Sequence, residues 1–259
     1  MSTVLDRGTI VTARDLELFR TLAIARVLDG EQVQAVAGFV SVRRTNRRLL
    51  KLVRAGLLRR WFVGASGGGQ KALYGLSPQG ANLIGETRQG LIPWKQDALI
   101  TSSQFLAHQQ AVNAIFLMAR FQPLPSGLSC ARWVRPKLPL SPSVPLIPDA
   151  YFEIVRDGVV NPMFLEMDLG SEASPIWKRK VELYLKLALS GEFQGTLDAK
   201  RLRTLVVFPS ERRLRSIRKV IANRTEKLFW LSTRTEVERD GLWSPAWLRP
   251  VGGEKQRLV

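Results

Sequence analysis

The chain lacks most of the residues from which disulfides and transition-metal sites are built. Its 259 residues include one cysteine, Cys130, and one histidine, His108. An intramolecular disulfide, a cysteine zinc site and a three-histidine metal site are therefore excluded. His108 lies in a stretch, residues 105–112, whose apolar spacing is typical of an amphipathic helix, so we interpret it as a packed or capping side chain. Any metal-dependent chemistry in this chain would therefore have to rely on carboxylates.

Long apolar runs are absent as well, and acidic residues are outnumbered. No segment reaches about 18 uninterrupted apolar residues, and the N-terminus lacks a basic region followed by an apolar one. Together with the single cysteine, this predicts a cytoplasmic protein that does not contact a membrane. The formal net charge is +17, from 39 Lys and Arg against 22 Asp and Glu. Such an excess predicts a polyanionic partner, of which nucleic acid is the natural example.

The basic residues are concentrated in an acid-free stretch of the N-terminal third. Between Glu31 and Glu86 the chain has no aspartate or glutamate, whereas arginine and lysine recur. A positive stretch of this length is typical of a DNA-binding surface. The side chains predicted to contact DNA are Arg43, Arg44, Arg47, Arg48, Lys51, Arg54, Arg59, Arg60 and Lys71.

The order of elements in residues 1–90 predicts how these cations are displayed. Thr12 is a suitable N-cap for a first helix, a second helix is predicted over residues 31–37, and a third starts near Ser41 and ends before Gly56. Two strands around a glycine-rich tip follow. Three helices, the third of them basic, and a two-stranded wing are typical of a winged helix-turn-helix domain.

A second domain, residues 105–259, is predicted after a linker over residues 91–104. Its clearest pattern is a hairpin, in which one strand starts at Asp149, a tight turn lies at Asp157-Gly158, and the partner strand ends at Asp168. Helix, strand, helix and strand follow. We therefore predict a protein of the α/β (α+β) class, with a central mixed sheet in this second domain.

Three acidic residues of that hairpin are predicted to form a metal site. Asp149 follows Pro148, while Glu166 and Asp168 are two positions apart in an apolar strand and so project to the same face. Two adjacent carboxylates are costly to bury unless a divalent cation holds them. Because the hairpin brings Asp149 to the same end, the three carboxylates are expected to bind Mg²⁺ or Mn²⁺.

The pattern Pro148-Asp149 followed by Glu166-Met167-Asp168 resembles that of the PD-(D/E)XK, or restriction-endonuclease-like, superfamily. Asp168 stands where that superfamily usually has its catalytic lysine. The resemblance therefore implies a lysine displaced to the next helix. Lys180 is the first candidate and Lys178 the second, because Trp177, Lys180 and Tyr184 share one helical face from which Lys178 is rotated away.

The whole arrangement, over roughly residues 12–250, is similar to the replication-relaxation family of mobile elements, and within it to plasmid mobilisation relaxases. The resemblance implies an enzyme that recognises a transfer origin and nicks one strand to start conjugative mobilisation or replication. Asp149, Glu166, Asp168, Lys180 and Tyr184 would be its catalytic residues, with the three carboxylates as metal ligands and no other cofactor. Expected partners are double-stranded DNA, single-stranded DNA as a second form, and other relaxosome or coupling proteins.

Several alternatives remain open on the sequence alone. A covalent route through Tyr151 or Tyr184 is the alternative to hydrolysis. Asp168 would simply cap the loop at Gly170 if the carboxylate pattern had arisen by chance. Independently of this, the winged helix would mediate protein contacts instead of binding DNA. The alternative for the whole chain is a non-catalytic DNA-binding accessory, or a replication or transcription regulator, built on a degenerate nuclease fold.

Overall fold

A computed structural model describes residues 3–4, 9–64, 68–87, 91–101, 103–192 and 202–258. The chain divides into two units, Met1–Leu117 and Met118–Val259, each with its own sheet. Part of the predicted glycine-rich tip, residues 65–67, lies outside the described residues. No helix within the described ranges is both long and apolar enough to cross a membrane.

The first unit combines a basic helical layer with a small mixed sheet. Its helices are α1 (Ala13–Ala25), α2 (Gly30–Ala37), α3 (Val42–Arg54), α4 (Pro78–Asn82) and the start of α5 (Gln104–Phe121). Its strands are β1 (Thr3–Val4), β2 (Ile10–Val11), β3 (Leu28–Asp29), β4 (Leu58–Gly64), β5 (Gln70–Leu76) and β6 (Leu99–Ile100).

Local sequence signals place these elements. The Thr12 side chain accepts from the backbone N–H of Asp15, whose carboxylate in turn accepts from Thr12, so two free N–H donors at the start of α1 are satisfied. At the start of α3 the Ser41 side chain accepts from the backbone N–H of Arg44. Gly56 then turns the chain into β4 with a φ of 73°, a conformation that glycine adopts without strain. The predicted starts of α1 and α3 are confirmed.

The sheet of the first unit has the order β3-β5-β4-β6. Strands β4 and β5 form an antiparallel hairpin, and β6 pairs parallel to β4. Strand β6 comes from the segment predicted as a linker, and Trp94 of the same segment makes an edge contact with Trp61 at a centroid distance of 5.6 Å. Part of this segment is therefore packed onto the first sheet.

Helix α5 is tied to the end of α1 by a buried amide. The side-chain nitrogen of Asn113 donates to the carbonyl oxygens of Ala25 at 3.0 Å and Val27 at 2.7 Å. These carbonyls flank Arg26, which has a φ of 61° and ends α1. The buried backbone acceptors at this sharp turn are thus satisfied by a side chain from far along the chain.

The second unit is a five-stranded sheet with the order β11-β10-β9-β8-β7. β9, β10 and β11 run parallel, while β7 and β8 complete an antiparallel meander with β9. This confirms the predicted mixed α+β architecture. The strands are β7 (Leu128–Val134), β8 (Ala150–Arg156), β9 (Val159–Met167), β10 (Thr204–Phe208) and β11 (Phe229–Thr233). The helices are α6 (Ser174–Ser190), α7 (Glu211–Ala222) and α8 (Arg234–Asp240).

The core of the second unit lies between the sheet and the helices α6 and α7. Trp177 and Tyr184 of α6 are fully buried in one cluster with Phe164 of β9 and Phe229 of β11. The β8–β9 turn has positive φ at both Asp157 and Gly158, as a tight two-residue hairpin requires. The hairpin and the crossover helix α6 together determine where the acidic residues lie.

Gly80 provides a test of how tightly α4 packs in the first unit. A Cβ at this position would clash with the carbonyl oxygen of Leu57, which is backbone and not the end of a flexible side chain. We expect Gly80→Ala to lower the free energy of unfolding by about 3 kcal/mol, measured by chemical denaturation. Gly64→Ala is the control, since its Cβ would meet nothing within 4 Å. Equal midpoints for the two variants would contradict the packing.

Candidate functional site

Helix α3 turns its apolar side inward and its arginines outward. Thr45, Leu49 and Leu52 are buried. The exposed basic residues of the same helix are Arg43, Arg44, Arg47, Lys51 and Arg54. Because the cations occupy the face opposite the core, they can reach a partner without disturbing the fold.

The exposed side of α3 borders a concave, positively charged groove. The groove has a volume of about 770 Å³ and is lined by Arg14, Arg44, Arg47, Lys51 and Phe39, among others. The guanidinium of Arg14 lies 5.1 Å from the Phe39 ring centroid, which orients it along the groove wall. A groove of this composition attracts anions.

Arg48 is an exception among the arginines of α3. Its Nε donates to Asp15 Oδ1 at 2.8 Å, and its Nη2 donates to the carbonyl oxygen of Ile10 at 2.7 Å. Burial by itself raises the pKa of Asp15, but hydrogen bonds from Arg48 and Thr12 outweigh it and hold that pKa below its ordinary value. Arg48 therefore stabilises the packing of α3 on α1, and its guanidinium is committed to that role.

Three other predicted DNA contacts are also held by the protein. All three cations lie on the β4–β5 hairpin and bond acceptors of the first unit. The pairs are Arg59 with the carbonyl of Ile92 at 3.2 Å, Arg60 with Asp97 at 2.6 Å, and Lys71 with Asp29 at 2.9 Å.

In the second unit, Glu166 is a deeply buried acidic residue of the predicted site. Its side chain is 2% exposed. One carboxylate oxygen accepts from Lys180 Nζ at 2.8 Å, and the other accepts from the Tyr184 hydroxyl at 2.7 Å. Lys178 is exposed on the far side of α6. Lys180 is thus the lysine that reaches the carboxylate.

This environment raises the pKa values of the Glu166 carboxyl and the Tyr184 hydroxyl. Burial raises the pKa of Glu166, the charge of Lys180 lowers it, and the negative charge of Asp149 raises it. The net result is a pKa of about 7. Burial and the neighbouring Glu166 raise the pKa of the Tyr184 hydroxyl well above its ordinary value. Tyr184 is fully buried and acts as a hydrogen-bond donor, so it is not placed as a nucleophile for a covalent route.

Asp168 binds partners different from those of Glu166. It accepts from Trp177 Nε1 at 2.6 Å and from Arg213 Nη2 at 2.7 Å, and also from the backbone N–H of Gly170. The capping of the Gly170 loop, left open on the sequence, is therefore observed. Both oxygens of the Asp168 carboxylate are therefore engaged by protein donors, Oδ2 by three N–H groups and Oδ1 by one.

The third acid, Asp149, lies just before β8, beside the C-terminal end of β9. Its Oδ2 accepts from the backbone N–H of Met167 at 2.7 Å, the residue between Glu166 and Asp168 in the chain. Among the described residues, no three Asp, Glu, His or Cys side chains converge closely enough to hold a metal ion. The predicted three-carboxylate set thus does not fit a cation as arranged. Asp149 and Glu166 remain as a pair, and Mg²⁺ is commonly held by one or two carboxylates together with substrate phosphates.

Two residues of this network were missed by sequence reasoning. Glu172 Oε1 accepts from Lys180 Nζ at 2.9 Å, so that Lys180 bridges two carboxylates. Arg213 comes from α7 and also donates to the carbonyl of Glu172. Arg213 has a recognisable signal, since it adjoins the buried Leu214, whereas the turn that carries Glu172 has none.

The comparison with protein families addresses both units. A model of the replication-relaxation family matches residues 19–199, which is more than half of the chain. The chain belongs to the replication-relaxation family. The match includes α3 and the residues Asp149, Glu166 and Lys180, and ends before Arg213. Comparisons with curated proteins and with solved structures gave no match. Family membership indicates a role in replication or mobilisation.

The raised pKa of Glu166 predicts how the stability of this replication-relaxation protein depends on pH. The native state holds the Glu166 proton up to about pH 7, whereas an unfolded glutamate releases it near about pH 4.3. Stability is therefore fully present below the unfolded pKa and declines as pH rises through the native one. From about pH 5 to about pH 8, we expect this loss to reach roughly 2–3 kcal/mol in the wild type and to be absent in Glu166→Gln.

The measurement is chemical denaturation across this pH range in the presence of a chelator. Glu182→Gln is the control, because Glu182 lies on the same helix but is 56% exposed. The prediction is contradicted if the Glu166→Gln and wild-type curves have the same dependence on pH.

Proposed function

We propose that this protein binds double-stranded DNA at the origin of a mobile element through α3, and that its second unit nicks one strand with the help of a divalent cation. The observation that carries DNA binding is the row of exposed arginines on α3 beside a basic groove. The observation that favours cleavage is the approach of Lys180 to the buried Glu166, next to Asp149.

The first unit is best interpreted as a winged helix-turn-helix. Helices α1, α2 and α3 precede the hairpin β4–β5, in the order expected for two supporting helices, a recognition helix and a wing. In this interpretation Arg43, Arg44 and Arg47 contact base edges or phosphates in the major groove. Arg48 holds the recognition helix on α1 and has a supporting role.

Loss of the three exposed arginines is expected to abolish most DNA affinity. We expect Arg43→Ala/Arg44→Ala/Arg47→Ala to weaken binding to a short duplex by about 100-fold or more, because each arginine contact is worth about 1–3 kcal/mol. The control, called the paired-arginine variant, is Arg20→Ala/Arg234→Ala/Arg239→Ala. It removes the same charge, but each of its arginines forms an ion pair with a nearby acid. Fluorescence anisotropy measures both, and equal weakening would contradict the assignment of α3.

The proposed nicking centre uses Asp149, Glu166 and Lys180. The two carboxylates would hold Mg²⁺ or Mn²⁺, which when bound lowers the pKa of water and neutralises phosphate charge. Lys180 would place a positive charge beside the scissile phosphate. Its contact with Glu172 matters here, because Lys180 keeps one carboxylate partner when Glu166 turns toward a cation.

Tyr184 and Asp168 support this centre without reacting. The Tyr184 hydroxyl donates to Glu166 and so orients its carboxylate. Asp168 joins the end of β9 to α6 through Trp177 and to α7 through Arg213. Both were predicted as catalytic residues, and in this proposal they are positioning residues.

Lys180→Ala is expected to lower the rate of Mg²⁺-dependent nicking of supercoiled origin plasmid by about 100-fold or more, since it removes a charge aimed at the transition state. Asp149→Asn should lower it at least as much while leaving duplex affinity unchanged. Lys178→Ala is the matched control on α6 and should nick at the wild-type rate, because Lys178 is exposed. Undiminished nicking by Asp149→Asn would rule out this centre.

A second candidate function is a DNA-binding accessory or regulator without cleavage. It is favoured by the observation that both oxygens of Glu166 already have protein donors. Wild-type protein that binds DNA but leaves supercoiled plasmid intact in Mg²⁺ and in Mn²⁺ would favour this candidate over the nuclease.

A further inference from the structure

Helix α7 carries a row of exposed polar and basic side chains that neither the fold nor the proposed nicking centre uses. Arg212, Arg215, Ser216 and Lys219 are exposed and follow the spacing i, i+3, i+4 and i+7, so they form one stripe along the helix. We call these four residues the α7 stripe. The opposite face of the helix is buried through Leu214, Ile217 and Ile221.

The α7 stripe forms one side of a groove with a volume of about 560 Å³. Arg218 and Pro250 also line this groove. Nε of Arg218 donates to the carbonyl of Arg249 at 2.8 Å, and its Nη2 donates to the carbonyl of Gly252. These bonds attach the segment around Pro250 to α7. The groove is therefore a feature of the folded unit, with a wall that is hydrogen-bonded in place.

The cations of the stripe form no ion pair within the described ranges. In the parts of the chain that the structure describes, no carboxylate lies within ion-pairing distance of Arg212, Arg215 or Lys219. Arg212 with Arg215, and Arg215 with Lys219, are like-charge pairs at helical spacing, which destabilise a helix slightly. Arg213 differs, because it points inward to Asp168. A bound polyanion would remove the repulsion within the stripe.

We propose that the α7 stripe is a second DNA-binding surface, which holds the phosphate backbone without reading sequence. From residue 212 to residue 219 the helix rises about 10 Å, which matches the axial length of about three base pairs. Three cations and the Ser216 hydroxyl are donors suited to phosphate oxygens. This contact adds to the binding proposed for α3, and it depends neither on that binding nor on cleavage.

The test is the salt dependence of duplex affinity for the full chain. The α7 variant is Arg212→Ala/Arg215→Ala/Lys219→Ala. We expect it to reduce the magnitude of the slope of log K against log salt by about 2.7, measured on a duplex of mixed sequence between about 50 and 200 mM salt. This reduction corresponds to three lost phosphate contacts. The paired-arginine variant removes the same net charge and should change the slope by less than about 1. A slope of the α7 variant equal to that of the paired-arginine variant overturns the proposal.

One further variant tests whether the charge alone is sufficient. Arg212→Lys/Arg215→Lys keeps the charges and should retain the wild-type slope, since a phosphate contact needs a cation and not a guanidinium fork. If the α7 variant binds duplex DNA like wild type but loses binding to polyglutamate, the surface serves an acidic protein and the proposal is wrong.

The α3 variant, Arg43→Ala/Arg44→Ala/Arg47→Ala, is measured in parallel. A normal slope for it with a reduced slope for the α7 variant rejects the α3 assignment alone, and the reverse rejects the α7 stripe alone.

Discussion

The buried carboxylate of Glu166 is the constraint around which the second unit is arranged. An ionised carboxylate in an apolar core is costly unless charge and hydrogen bonds compensate for its lost hydration. Both compensating groups come from α6, as Lys180 Nζ and the Tyr184 hydroxyl. The register of α6 against β9 therefore follows from this carboxylate. Trp177, on the same face of α6, donates to Asp168. Glu166 in β9 and Asp168 just after it therefore both bind side chains of α6.

A core of this kind is not the most stable one available to the chain. Replacing Glu166 together with its donors Lys180 and Tyr184 by apolar residues would remove this desolvation cost. Replacing a whole buried ion pair in this way is often neutral or stabilising. The nearby charge of Asp149 adds to the cost by raising the pKa of Glu166. A buried carboxylate with a raised pKa, at the C-terminal end of the central strand, is typical of a functional site, and for this reason the proposed nicking centre is placed here.

The sequence predicted what depends on local signals and periodicity. Thr12, Ser41 and Gly56 mark helix ends through their own side chains or their own φ, and Asp157-Gly158 forms its turn unaided. The choice of Lys180 over Lys178 followed from helical spacing alone. Strand β6 was missed because a strand of two residues is defined by its partner. The partners of Asp168 could not be predicted for a related reason, since nothing near Asp168 in the chain shows that Arg213 will donate to it.

The two basic helices divide their arginines in the same way. In α3, Arg48 turns inward to the buried Asp15, and in α7, Arg213 turns inward to the buried Asp168. In each case one ion pair anchors the helix to its own unit, and the remaining cations stay on the solvent side. A helix that carries many like charges needs such an anchor, because an exposed row of cations adds repulsion and no packing energy. The number of basic residues in a helix therefore overstates the number that can contact DNA. The arginine that pairs with a buried aspartate is not available, and only the remaining exposed cations can contact a phosphate backbone.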